Sequence, residues 1–284
     1  MAAQLLWPGN AKTAVLVSVL LESWDEGLAP AYFPRTTPLK AGTRDLGAIQ
    51  WSEYGGEEGV WRLMRLIERN GRRANAFCNA LSAERYPDAI GQMRKFEYEI
   101  AGHGYAQNEF LCEMDVTGQQ KTIRKCLDIL ERVSGCRPVG WATPMYGGDA
   151  ATPELLAAEG IHWHCDMVKG SSPRIDVRPS GTMVAIPWSE FVDNRVLRGN
   201  PRDFFDVYKH SFEFLHNEET MSLMHVAVHA HHGGRPLMSA MLNEILKYLG
   251  AHKDVWFATC SDLAAWVRQQ DPNDLSYRAR FFGI

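Results

Sequence analysis

The chain has 284 residues, of which 45% are hydrophobic and 23% are charged, and its formal net charge is −4. These values are typical of a globular protein with one or two domains. The slightly negative charge argues against a nucleic-acid-binding surface. No apolar run approaches the ~18 residues of a membrane span. The N-terminus, MAAQLLWPGNAKT, lacks the basic and apolar regions of a signal peptide. The sequence therefore predicts a cytoplasmic protein without nucleic-acid or membrane partners.

Helix and strand patterns alternate along the chain. An apolar, β-branched run at 14–22 predicts a buried strand, a loop rich in Pro, Gly and Thr follows at 27–50, and helical spacing begins at 59. Seven further strands are predicted, at 75–79, 98–102, 139–142, 161–164, 183–187, 222–229 and 255–259. Helices are predicted at 59–70, 87–96, 117–134, 152–159, 201–217, 238–252 and 261–269. About seven such repeats predict an α/β fold with a largely parallel sheet, and favour a barrel over an open sheet.

The six cysteines are dispersed and none forms a CxxC pair, which predicts reduced thiols rather than a disulfide framework or a structural zinc site. The C-terminal tail from about residue 271 is polar and then ends in Arg280, Phe281 and Phe282. Exposed aromatic residues on a tail suggest docking on a neighbouring element or subunit.

Polar side chains cluster at three predicted strand ends, and the C-terminal strand ends of a barrel converge on one face. The cluster comprises Glu22, Trp24, Asp25 and Glu26, then His103, Tyr105, Gln107 and Asn108, then His229, His231 and His232. A carboxylate with imidazoles from different strands forms either an acid/base pair or a metal site. Two structural alternatives remain open. The acidic residues could be solvated loop charges, and His103 could be a core histidine bonded to backbone. Trp24, Trp141 and Trp188 could line an apolar pocket or pack in the core.

Six segments carry a resemblance to a known family. They are VSVLLESWDEG, EYGGEEGVWRLMRLIERNG, YEIAGHGYAQNE, VGWATPMYG, HVAVHAHHGGRP and KDVWFATCSDLAAW. The chain resembles the polysaccharide deacetylase (NodB-homology) superfamily, and within it the branch of bacterial allantoinases and cyclic imide hydrolases. The resemblance spans nearly the whole chain. It implies one NodB-like domain over 1–284, a deformed (β/α) barrel of about seven strands, and a homotetramer.

The resemblance also implies roles for individual residues. Asp25 matches the family's catalytic base, Glu26 its metal-binding Asp, and His103 the first metal-binding His. Gln107 stands where the second metal-binding His is expected, and His229 matches the late His that acts as general acid. A neutral Gln suits a zinc ion less well than an imidazole does. A metal-free site, or one with a weakly bound divalent ion such as zinc on Glu26, His103 and Gln107, is therefore expected.

Two further matches concern the surroundings of the site. Thr143, or Ala142 if the alignment slips by one, stands where many family members have an Arg that orients the base. Arg235 belongs to a Gly-Arg-Pro signature of the allantoinase-like branch. The expected substrate-binding set is Glu22, Trp24, Gln107, Trp141, Trp188, His231 and Arg235.

These expectations combine into a hydrolase of a non-peptide C–N bond in a small, cyclic or linear, amide. Asp25 accepts a proton from water with Glu26 as second carboxylate, His103 positions the water or the carbonyl, and His229 protonates the leaving nitrogen. One alternative is a zinc-dependent N-deacetylase of an amino sugar or polysaccharide. Another is an inactive barrel that serves as a binding subunit.

Overall fold

The computed structural model describes residues 5–189 and 191–283, so the first four residues of the N-terminus discussed above lie outside it. Its strands are β1 (Thr13–Leu21), β2 (Asn75–Cys78), β3 (Glu99–Gly102), β4 (Gly140–Trp141), β5 (Trp163–Met167), β6 (Arg174–Arg178), β7 (Gly181–Pro187), β8 (Ser222–His229) and β9 (Val255–Ala258). Its helices are α1 (Leu46–Tyr54), α2 (Val60–Arg69), α3 (Ala80–Arg85), α4 (Pro87–Lys95), α5 (Val116–Ser134), α6 (Thr152–Ala158), α7 (Arg202–Glu218), α8 (Ala230–Gly233), α9 (Pro236–Gly250), α10 (Cys260–Val267) and α11 (Tyr277–Phe282).

The strands form one curled sheet in the order β6-β7-β5-β4-β3-β2-β1-β8. The seven strands from β7 to β8 are parallel, and only β6 pairs antiparallel, with β7. β9 pairs with Thr13–Leu16 of β1, while β2 pairs with Ser18–Leu21. The predicted α/β deformed barrel is therefore confirmed. That residues 1–284 form a single domain remains a prediction.

Five elements were not anticipated from the sequence: helices α1, α3, α8 and α11 and strand β6. Helix α1 begins at Leu46 inside the predicted loop, because it buries only Ala48 and Ser52 and so carries no apolar stripe. Strand β6 is short and mostly exposed or half-buried, so it lacks the apolar run of the central strands. Helix α3 has six residues, which is too short for a recognisable periodicity.

The core lies on both faces of the sheet. One apolar cluster fills the layer between the sheet and the helices, with Val15, Leu63 and Leu127 among its members. The second fills the inner face of the curled sheet and includes Leu16, Phe77 and Trp163. All nine residues of β1 are buried, as expected for a parallel strand covered on both faces.

The parallel arrangement brings the C-terminal ends of β1, β2, β3 and β8 to one edge of the sheet. Leu20 of β1 pairs with His229 of β8, and Leu21 pairs with Cys78 of β2, which in turn pairs with Gly102 of β3. Glu22, His103 and His229 therefore emerge side by side at the edge where parallel α/β proteins place their sites.

Two remaining expectations concern the chain as a whole. Among the described residues, no helix combines the length and the apolar character that a membrane crossing requires. All six cysteines are free, and four of them are buried.

Candidate active site

Glu22 is the centre of the site. It directly follows β1, and its side chain is 1% exposed. One carboxylate oxygen, Oε1, lies 3.4 Å from Nε2 of His103 and 3.7 Å from Nε2 of His229. Burial alone raises the pKa of Glu22, but the positive field of His229 and the contact with His103 outweigh it and lower the pKa to about 2. Glu22 is therefore a buried anion held between two imidazoles.

His103 is oriented by a backbone carbonyl. It follows β3, and its Nδ1 donates a hydrogen bond of 2.7 Å to the carbonyl oxygen of Ala142, just beyond β4. A carbonyl oxygen only accepts, so the proton must be on Nδ1. In the neutral ring, Nε2 then carries a lone pair and faces Glu22. This is the geometry of an imidazole that can take a proton at Nε2.

His229 is oriented by a buried carboxylate instead. Its Nδ1 lies 2.6 Å from Oδ1 of Asp193, and its backbone N–H donates to Oδ2 of Asp193 at 2.9 Å. Burial lowers the pKa of His229, but the charges of Asp193 and Glu22 outweigh it and raise the pKa to about 9. Its Nε2–H is therefore a proton donor at neutral pH.

Asp193 was not found from the sequence. It lies between β7 and α7, is fully buried, and has a lowered pKa because burial, which raises it, is outweighed by His229. Its surroundings in the chain, FVDNRV, contain no pattern that distinguishes it from a solvated loop aspartate. Only the fold reveals that it supports His229.

His231 completes the cluster from α8. Its Nδ1 lies 3.8 Å from Oε2 of Glu22, and its Nε2 lies 2.9 Å from the hydroxyl of Tyr32. Burial lowers the pKa of His231 to about 3 despite the field of Glu22, so this ring stays neutral. The edges of Trp24 and Trp51 contact it, with ring centroids 5.4 and 4.8 Å away.

Close glycine packing holds α8 in place. A π-helical turn at Gly55–Gly59 joins α1 to α2 and packs against α8. A Cβ atom on Gly59 would lie 2.0 Å from the carbonyl oxygen of Ala230, and one on Gly55 would lie 2.9 Å from the backbone N of His231. The glycines therefore allow the helix to approach the segment that carries His231.

Asp25 and Glu26 lie in a different environment from Glu22. The half-buried Asp25 is bonded twice to Asn108. The backbone N–H of Asp25 donates to Oδ1 of Asn108 at 2.9 Å, and Oδ2 of Asp25 accepts from Nδ2 of Asn108 at 2.8 Å. Glu26 is exposed. Both residues line the same small cleft as Glu22, with Arg44 and Arg85 also on its wall; the cleft has a volume of about 60 Å³. Their predicted catalytic roles remain predictions.

The other expected contact residues have mainly structural partners. Trp141 is fully buried and covers Gly102, while Trp188 stacks on His225 at 4.2 Å inside the barrel. Arg235 donates to the carbonyls of His231 and Trp51. Thr143 donates to Oδ2 of Asp166 at 2.6 Å and accepts from the indole of Trp141, and so holds the strand end next to Ala142. Of this expected set, His231 faces Glu22, and Trp24 packs against the ring of His231.

The metal-ligand set implied by the resemblance does not fit this geometry. The carboxylate of Glu26 is exposed, His103 faces Glu22, and the amide oxygen of Gln107 accepts from Asn79 at 3.4 Å. Within residues 5–189 and 191–283, no group of three or more His, Cys, Asp or Glu residues is placed to hold a metal ion. A neutral amide is also a poor third ligand for zinc.

Comparisons with known proteins agree with this fold. The family described as polysaccharide deacetylase matches residues 46–163. A peptidoglycan deacetylase of Helicobacter pylori is 21% identical over 77% of this chain and 87% of its own length. The crystal structure of a probable polysaccharide deacetylase from Pseudomonas aeruginosa PAO1 superposes with a TM-score of 0.84 at 28% identity, covering 93% of this chain and 94% of the other. The Puue allantoinase structure gives a TM-score of 0.85 at 27% identity, with coverage of 94% and 93%.

Proposed function

We propose that this chain, which carries a polysaccharide deacetylase (NodB-homology) domain and is a hydrolase of amide C–N bonds, acts on a small, compact and preferably cyclic amide. One observation carries the proposal: a single buried carboxylate, Glu22, adjoins two imidazoles whose other nitrogens have different partners. His103 is held by a carbonyl and His229 by a carboxylate. The two rings are thereby prepared for opposite roles.

The base in this proposal is His103. A carboxylate with a pKa of about 2 is a weak proton acceptor near neutral pH, so Glu22 is better suited to remain an anion. A water molecule that donates to both Nε2 of His103 and Oε1 of Glu22 would direct a lone pair at the substrate carbonyl. As the water attacks, its proton passes to Nε2 of His103, and Glu22 stabilises the imidazolium that forms.

The acid is His229. It is protonated at neutral pH because Asp193 and Glu22 raise its pKa to about 9. When the C–N bond breaks, its Nε2 proton passes to the leaving nitrogen, and the products are a carboxylic acid and an amine. Glu22 Oε1 adjoins both rings, so the proton gained by His103 can return to His229 through this carboxylate before the next turnover.

Asp25 is the second candidate for the proton acceptor, as the family resemblance implies. Its support is that it lines the same cleft as Glu22. In that case Glu26 would be the second carboxylate of the cleft, and His103 would position the water or the carbonyl. The two assignments differ in which carboxylate the reaction needs, and substitution of each one separates them.

Enclosure of the site supports a small substrate. The side chains of Glu22, His103 and His229 are 1%, 4% and 10% exposed, and aromatic rings of Trp24, Tyr32 and Trp51 surround His231. A polymer needs an open groove along which several units can lie, and side chains this enclosed do not line one, so a compact ligand is the better match. The allantoinase among the similar structures is consistent with such a ligand.

An N-deacetylase acting on an amino sugar or a peptidoglycan fragment is the second candidate function, because the Helicobacter pylori relative is a peptidoglycan deacetylase. Purified protein should be assayed on hydantoins, cyclic imides and lactams beside N-acetylated sugars. Turnover of the cyclic amides supports the proposal. Turnover of the N-acetylated sugars alone would favour the second candidate, and no turnover on either set would favour an inactive binding subunit.

The family resemblance bears on assembly, and the six free cysteines bear on location. We infer a homo-oligomer, a tetramer by analogy with the family, that works in the cytoplasm on a small-molecule amide. Light scattering at micromolar concentration should show a particle larger than the 32.0 kDa chain. A monodisperse 32.0 kDa particle would refute the oligomer.

A further inference from the structure

Two buried polar atoms at the centre of the site face each other without a hydrogen-bond partner among the described residues. They are Oε2 of Glu22 and Nδ1 of His231, and they are 3.8 Å apart. Both side chains are 1% exposed. An unpaired polar atom at such depth costs on the order of 1–3 kcal/mol, so the proton on the His231 ring matters. A proton on Nδ1 of His231 would point at the Glu22 carboxylate, which is favourable. A lone pair on Nδ1 would face the lone pairs of Oε2, which is repulsive.

Tyr32 decides which of these arrangements forms. Its hydroxyl lies 2.9 Å from Nε2 of His231, and no other described side chain or backbone group bonds that hydroxyl. Burial, followed by the charges of Glu22 and Asp193, raises the pKa of Tyr32 well above its ordinary value, so the phenol keeps its proton. If that proton is donated to Nε2, the neutral ring must carry its own proton on Nδ1.

We propose that Tyr32 is a positioning residue that fixes the Nδ1–H tautomer of His231 and so directs an N–H group at Oε2 of Glu22. The N–H dipole then faces Oε2 at 3.8 Å, which favours the charge on that oxygen, while the other oxygen, Oε1, remains between His103 and His229. The inference rests on the proposed function for its catalytic consequence, but not for the tautomer itself. It assigns a role to a residue in the long segment between β1 and α1.

The segment that carries Tyr32 is suited to this role. It links strand β1, which Glu22 follows, to the helix that contains Trp51, and Tyr32 packs edge-on against Trp51 with ring centroids 6.1 Å apart. Trp51 in turn contacts His231 at 4.8 Å. The phenol ring is therefore held by packing, and its hydroxyl supplies the single directional contact with the imidazole. Removing the hydroxyl alone should leave the packing in place.

The test compares Tyr32→Phe with wild type by long-range ¹H–¹⁵N correlation of the histidine rings near neutral pH. His231→Gln identifies the His231 signals by their loss. We expect the Nδ1–H tautomer in wild type and a shift towards Nε2–H, or a mixture, in Tyr32→Phe. Tyr54→Phe is the matched control, because the Tyr54 hydroxyl bonds the carbonyl of Gly234 rather than His231. It should leave the His231 tautomer unchanged.

Kinetics on the best substrate of the panel add a second readout. Loss of one orienting hydrogen bond should lower kcat about tenfold with little change in KM. A wild-type ring protonated on Nε2, or a tautomer that Tyr32→Phe leaves unaltered, would overturn the inference. If Tyr32→Phe does not fold, the wild-type tautomer decides alone. If no substrate is found, the spectra still decide the tautomer, so failure of the proposed function is recognised separately.

Discussion

Glu22 and Asp25 are three residues apart at the end of the same strand, yet their surroundings differ in kind. Glu22 is enclosed by three imidazoles, and it keeps its charge because the field of the protonated His229 and the contact with His103 outweigh burial. Asp25 is half-buried, and an amide side chain satisfies its backbone and one carboxylate oxygen. Glu22 is the residue nearest the apolar strand, where a charge looks least favourable. The comparison shows that the fold nevertheless surrounds Glu22, and not Asp25, with cationic and donor groups.

His229 is the partner that most distinguishes Glu22 from Asp25. Removing its imidazole should therefore have the largest effect on activity. His229→Asn should lower the rate by ~10²–10⁴-fold because the proton for the leaving nitrogen disappears. Steady-state kinetics on the best cyclic amide would measure this. The Asn amide can still donate to Asp193, so the variant should fold. A rate within a few-fold of wild type would move the acid to another residue.

His229→Ala should behave differently in stability. It leaves the buried Asp193 without its side-chain partner, which typically costs 3–5 kcal/mol. Chemical denaturation of the Ala and Asn variants measures the difference. If both variants are as stable as wild type, the buried charge of Asp193 does not depend on the His229 side chain.

Removing the charge of Asp193 should alter the pH dependence of activity. In Asp193→Asn the pKa of His229 should fall from about 9 towards its ordinary value, so the alkaline limb of kcat/KM moves to lower pH. At pH 8 the protonated fraction would drop by about 30-fold if that pKa returned to ~6.5. The pH–rate profiles of wild type and variant provide the measurement. An unmoved alkaline limb would contradict the assignment of His229 as the acid.

Stability should also vary with pH in a definite direction. The pKa of His229 is raised by folding, so its contribution is complete below pH ~6.5 and is lost as the pH rises through about 9. The free energy of unfolding should fall by about 3 kcal/mol across that interval, at ~1.36 kcal/mol per pH unit. Urea titrations at several pH values measure this loss, which should largely vanish in His229→Asn. An identical slope in that variant would assign the loss to other groups.

Chelation should have the smallest effect. Gln107 is a neutral amide whose oxygen accepts from Asn79, so a metal on Glu26, His103 and Gln107 would be weakly held, and dialysis against a chelator should leave activity largely intact. Metal analysis of the dialysed protein accompanies the assay. Complete loss of activity that zinc or another divalent ion restores would favour the zinc-dependent deacetylase and change the assignment of roles.

The sequence predicted much of the fold and part of the site. The buried parallel strands and amphipathic helices were recognisable because each repeats an apolar pattern over several turns or pairs. Helix α1 and strand β6 were not, because they bury little apolar surface. His103 and His229 were found because each follows an apolar strand, and the structure brings both to Glu22.

The partners of these residues could not be read in the same way. Asp193 begins a four-residue 3₁₀ helix and Tyr32 lies in a turn, and their contacts with His229 and His231 join parts of the chain 36 and 199 residues apart. No local pattern encodes such a contact. The sequence predicts Glu22 as a substrate-binding residue, with the alternative that a charge after an apolar strand is simply the first solvated residue. Only the three imidazoles around it reveal a buried anion.

Side-by-side kinetics of Glu22→Gln and Asp25→Asn test the central claim most directly. Both substitutions replace one carboxylate oxygen by an NH2 group, which removes the negative charge and leaves the side-chain shape nearly unchanged. The account predicts a loss in kcat/KM of ~10²–10⁴-fold for Glu22→Gln, because both imidazoles lose their counter-charge, and a loss below about tenfold for Asp25→Asn. The reverse order, with Asp25→Asn nearly inactive and Glu22→Gln close to wild type, would contradict it.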